Sequence, residues 1–137
     1  MNLPKNEKTF TIDGIGETTG QKYFGNFTTI CILNVGQKHQ LEIERSRLSA
    51  DLAYPSDRLR GFSLILATLN VKLIKKPDWW NDSFGGLDLL DENIVMDVYD
   101  KIVEAENEWR EAVQKEGKKS QKILSEKDEN EQNLQKT

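Results

Sequence analysis

The chemistry this sequence could perform would have to come from a few places. Residues 13–21, Asp13-Gly14-Ile15-Gly16-Glu17-Thr18-Thr19-Gly20-Gln21, put glycines directly after a run of β-formers, the setting in which a loop can cradle a phosphate. A dinucleotide loop needs a further glycine three residues after the second and a helix whose first amides face the ligand. Position 19 is threonine, Gly20 falls one residue late, and the segment that follows has strand composition. A hairpin loop is the expectation. The acids Asp78, Asp82, Asp88, Asp91 and Glu92 raise the question of calcium, but an EF-hand loop wants an oxygen ligand at its third position and here that is Trp80. They read as loop acids, with Asp91 as a helix cap. His39 is the one histidine and Cys31 the one cysteine, too few for a zinc site and on separate elements. A cysteine in an apolar strand behaves as a small hydrophobe. No catalytic, cofactor-binding or metal-binding residue is expected, and the chain is not expected to be an enzyme. A small hydrolase whose carboxylates meet only in the fold stays open as an alternative.

Trp79-Trp80 is the most unusual local feature. Adjacent residues of an extended segment point to opposite sides, so one indole is expected in the core and the other at an interface. Phe24 or Phe27 at a sheet edge follows the same argument with less force. The candidate partner-binding residues are therefore Trp79, Trp80, Phe84, Leu87, Tyr23 and Phe24.

The elements that must position these groups follow from periodicity. Residues 9–12 alternate and are rich in β-formers, ending at Asp13-Gly14, and residues 22–33 are aromatic and β-branched, so the two make a hairpin with a long loop. Asn34, with Gln37 three residues on, forms a capping box for a helix over residues 35–51 carrying Val35, Leu41, Leu48 and Leu52. Tyr54-Pro55-Ser56 breaks it, and Ser56 can cap a second helix with an apolar face of Leu59, Phe62, Ile65, Leu66 and Leu69. From Asn70 the period changes to two, predicting a third strand that closes at Pro77. Ile94, Val98, Ile102, Ala105, Trp109 and Val113 then mark a long amphipathic C-terminal helix. The fold class is α+β: an N-terminal β-hairpin, two central helices, a third strand, the long helix and a polar tail.

At 137 residues the chain fits one domain. Residues 9–114 are expected to form it, with a flexible N-terminus at residues 1–8. Only Ile123, Leu124 and Leu134 are clearly apolar in residues 115–137, which predicts a disordered tail. A formal charge of −4 argues against a general nucleic-acid binder. A single-strand module that stacks bases on aromatic strands would have only Lys22, Lys72, Lys75 and Lys76 near them. No apolar run reaches the roughly 18 residues of a membrane helix, residues 1–8 lack a signal-peptide core, and the lone cysteine suits a reducing compartment. A cytoplasmic protein is expected.

Two stretches carry a resemblance. The first is Gly16-Glu17-Thr18-Thr19-Gly20 followed by Tyr23-x-Gly25-x-Phe27. The second is Val71-x-Leu73-Ile74-x-x-Pro77-x-Trp79-Trp80, continued by Gly86-x-Asp88-Leu89-x-Asp91-x-Asn93-Ile94 and Glu104-Ala105-Glu106-x-Glu108-Trp109. Over residues 9–113 the chain resembles small tailed-bacteriophage proteins of the tail-assembly-chaperone or minor virion structural kind. The resemblance implies binding to other phage structural proteins (tail-tube, neck or capsid subunits), with self-association open, in the host cytoplasm during assembly or within the virion. It implies no catalytic residues, no cofactor and no membrane.

Overall fold

The computed structural model describes residues 2–50 and 57–135, apart from the side chains of residues 57, 59, 120 and 126–135. β1 (Glu7–Ile15) and β2 (Lys22–Ile30) pair antiparallel with Phe10 opposite Phe27 and Ile12 opposite Gly25. Period-two alternation turns Phe10, Ile12, Tyr23 and Phe27 inward and leaves Thr9, Thr11, Phe24 and Asn26 on the outer face. The strand is longer than residues 9–12 at both ends. Asp13-Gly14 does not turn, because Gly14 is there for close packing: a Cβ on it would sit 3.3 Å from Ile94 Cδ1. Upstream, where a flexible N-terminus was expected, two residues are hydrogen-bonded to the body. The Asn6 side chain bonds both the amide and the carbonyl of Ile32, and the Pro4 carbonyl accepts the Trp109 indole N–H at 3.3 Å.

α1 (Val35–Ser49) opens with the expected capping box: Gln37 N–H donates to Asn34 Oδ1 at 2.8 Å and Asn34 N–H to Gln37 Oε1 at 3.0 Å. None of its residues is buried, and Val35 and Ile43 of its sparse apolar set are exposed. The break at Tyr54-Pro55 with its Ser56 cap, Leu52 and the Leu59 side chain lie outside the described residues. α2 (Asp57–Lys72) buries Leu66, Ala67 and Leu69 and half-buries Phe62 and Ile65. It continues through Asn70 and Val71, where a strand was expected, because Lys72, one turn beyond Leu69, is drawn inward. There its Nζ donates to the Cys31 carbonyl at 3.1 Å and to Glu106 at 3.0 Å. β3 is consequently only Leu73–Lys75, joined to α2 without a loop and paired antiparallel to β2.

The short α3 (Asp78–Asn81) and the long α4 (Glu92–Gln135) complete the chain. The sheet order is β1-β2-β3, and its inner face packs on α4 and α2 around Ile12, Phe27, Leu69, Trp80, Val98 and Ile102. The α4 stripe holds as read as far as Ala105, while Trp109 and Val113 are half-buried. Where a disordered tail was expected after residue 114, α4 runs on to Gln135. The compositional argument was sound for burial, since residues 121–125 are exposed. It failed for conformation: Lys, Glu and Gln are good helix formers, no proline intervenes, and a helix already nucleated by packing propagates cheaply. No helix of the described residues is long and apolar enough to cross a membrane.

Candidate functional site

The glycine loop binds an anion after all, and the anion belongs to the chain. Asp91 precedes α4 and is fully buried. Its Oδ1 accepts the backbone N–H groups of Thr18 at 2.8 Å and Thr19 at 2.9 Å. Its Oδ2 accepts the Thr19 hydroxyl at 2.5 Å and the Tyr23 hydroxyl at 2.7 Å. Gly16 is compulsory here, since a Cβ would fall 2.1 Å from the Asp91 carboxyl carbon, and Gly20 closes the loop at φ 72. Asn93 adds a second rivet, accepting from Glu17 N–H at 3.0 Å and donating to the Ile15 carbonyl at 3.0 Å. Burial pushes the Asp91 carboxyl up, but the hydroxyls of Thr19 and Tyr23 and the loop amides outweigh it and hold the group down at about 2. The same hydrogen bond and burial raise the Tyr23 phenol. The expected helix cap is thus a clasp that locks the hairpin tip onto the start of α4.

The aromatic pair sits on helix, not on an extended segment, yet the two rings do diverge. Trp80 is 1% exposed and meets Phe27 edge-on, with ring centroids 5.5 Å apart. Trp79 is half-buried: its indole N–H donates to the Phe24 carbonyl at 2.9 Å, and its ring lies 5.2 Å from Tyr23 and 5.7 Å from Phe27. Gly25 admits this arrangement, since a Cβ there would meet Pro77 at 2.8 Å and the Trp79 indole nitrogen at 3.1 Å. Tyr23 and Trp80 are therefore buried supports. Of the candidates, Phe24, Phe84 and Leu87 are exposed, and Trp79 props the strand beneath Phe24.

Beyond α3 the chain makes a tight knot. Phe84, Gly85 and Gly86 all have positive φ, at 51, 67 and 93, and for the non-glycine Phe84 that conformation is strained. Gly86 lies against the Trp80 ring, and the Gly85 N–H donates to the Trp80 carbonyl at 3.3 Å. This knot presents Phe84, Leu87 and Leu90 outward, 73%, 50% and 72% exposed. Leu90 escaped the sequence reading because it differs from its half-buried neighbour Leu89 only in direction.

The remaining candidate chemistry does not assemble. Asp78, Asp82, Asp88 and His39 are exposed, and among the described residues no group of three or more His, Cys, Asp or Glu could hold a metal. Burial pushes the Cys31 thiol up, which disfavours a thiolate nucleophile. Lys72 is buried against Glu106, and Phe10 and Phe27 stack on each other inside the protein. Comparison with protein-family models, with curated proteins and with solved structures returned no match.

Proposed function

We propose that this chain is a non-enzymatic bacteriophage morphogenesis protein that works by binding other phage proteins, assisting tail assembly. The observation that carries the reading is the apolar apex of Phe84, Leu87 and Leu90, held out by a knot anchored on Trp80. Strain and exposed apolar surface both oppose folding, and together they mark a surface kept for contact. The residues that carry the phage resemblance (Gly16, Thr18, Thr19, Tyr23, Asp91 and Asn93, with Gly25, Pro77 and Trp79) support it differently: they are the clasp and the props that fix this end of the molecule.

The test is affinity capture from infected cells with the wild-type chain and a Phe84→Ser/Leu87→Ser/Leu90→Ser variant. A tail, neck or capsid protein should be retained by the first and lost by the second. Equal capture by both would remove the apex from the reading. A virion-component version draws on the length of α4, whose exposed residues 121–125 would lie against a neighbouring subunit. Stoichiometric copies in purified particles would favour that version over an assembly factor that departs.

A further inference from the structure

β1 is an edge strand, and its free side can be read from the ladder. Asn6 and Cys31, and Gly16 and Gln21, bond across the hairpin in the same register as the strand pairs. In an antiparallel pair hydrogen-bonded positions alternate, so Lys8, Phe10, Ile12 and Gly14 bond β2. The N–H and C=O groups of Thr9, Thr11, Asp13 and Ile15 point the other way. The Ile15 carbonyl confirms the direction, because it accepts Asn93 from α4. Among the described residues nothing engages the backbone of Thr9, Thr11 or Asp13 on that side.

Alongside this edge runs a groove of about 440 Å³, with Thr11 and Asp13 on one wall and Asp97, Asp100, Lys101 and Glu104 of α4 on the other. On the α4 wall three carboxylates stand beside one ammonium, and Lys101 is itself paired with Glu104 at 3.7 Å. The acids are not grouped as metal ligands. A row of open backbone groups beside a surplus of carboxylate, Asp97 and Asp100, fits one class of occupant: an extended segment bearing lysine or arginine at alternate positions. Its backbone would extend the sheet and its cations would meet α4.

We propose that the β1 edge and the acidic side of α4 form a docking groove for an extended basic segment of a partner protein, added as a further strand. The proposal stands apart from the apolar apex and from the phage reading.

The probe is a fluorescein-labelled ten-residue peptide alternating lysine with threonine and valine, titrated into the full chain. Saturable binding is expected, weakening about tenfold or more as salt rises from about 50 to about 300 mM. Amide hydrogen exchange should slow at Thr9, Thr11 and Asp13 on binding, with no change at Phe10 and Ile12. Thr11→Pro removes an outward N–H and spares the β2 ladder, as edge positions allow, and should weaken binding about tenfold. Asp97→Asn with Asp100→Asn, both exposed, should do the same. Absence of saturable binding at low salt overturns the proposal. So does binding without protection of the three odd-numbered amides, which would reduce the contact to charge alone. A chain that self-associates through this edge, with dimers dispersed by Thr11→Pro, overturns it in favour of a second copy as occupant.

Discussion

Asp91 concentrates more of the fold in one side chain than any other residue. Two amides and two hydroxyls converge on a carboxylate that has no solvent to turn to. Tyr23→Phe deletes one of these donors and keeps the ring, so a loss of about 1.5–3 kcal/mol is expected, the range for a hydrogen bond to a charged group. Urea unfolding at pH 7 measures it. The carboxyl titrates at about 2 in the folded chain against 3.8 for the free group. Folding is therefore favoured wherever Asp91 is ionised. Its contribution is complete above about pH 4 and is lost as the pH falls toward about 2. The urea midpoint of wild type should fall across that window, and that of Asp91→Asn should change less there while lying lower at neutral pH. A parallel fall in both proteins would mean that other carboxylates govern the acid limb. Sequence alone made Asp91 a cap and the glycine loop a bystander. The fault is one of distance: the partners are 68 to 73 positions apart, and only topology puts free amides opposite a carboxylate.

Elements were more legible than residues where periodicity was strong. The capping box of α1, the stripe of α4 and the hairpin pairing all follow from local pattern. Junctions were not legible, because Val71, Lys72 and Leu73 satisfy a period of two as well as the end of a helix, and the buried Lys72–Glu106 pair decides between them. Trp109, one member of the α4 stripe, is half-buried, whereas Trp80 on the four-residue α3 is enclosed. Trp80→Ala should cost about 3–5 kcal/mol, and Trp109→Ala less than about 3 kcal/mol. The reverse order in chemical denaturation would relocate the centre of the core. Removing residues 121–137 should leave stability within about 0.5 kcal/mol, since residues 121–125 are exposed. The far-ultraviolet signal per molecule should fall in proportion to the helix removed.

At the scale of the molecule, an α+β sheet-and-helix body carries two kinds of surface at different places: an apolar apex beyond α3 and an acidic groove beside β1. Composition reported only the net charge of −4; the separation of apolar from acidic surface is a product of folding. The apex substitutions Phe84→Ser, Leu87→Ser and Leu90→Ser should leave the melting temperature unchanged or slightly raised, because exposed side chains contribute little packing. A marked fall would show that the apex supports the knot beneath it. α4 has a consequence for how the molecule moves through solvent. Its 44 residues make a rod about 66 Å long, roughly twice the diameter of a small domain. Friction follows length more than mass, so the monomer should elute from a sizing column ahead of a sphere of its weight and tumble anisotropically. Light scattering should nonetheless return 15.7 kDa, and elution volume alone would mistake a long monomer for a pair.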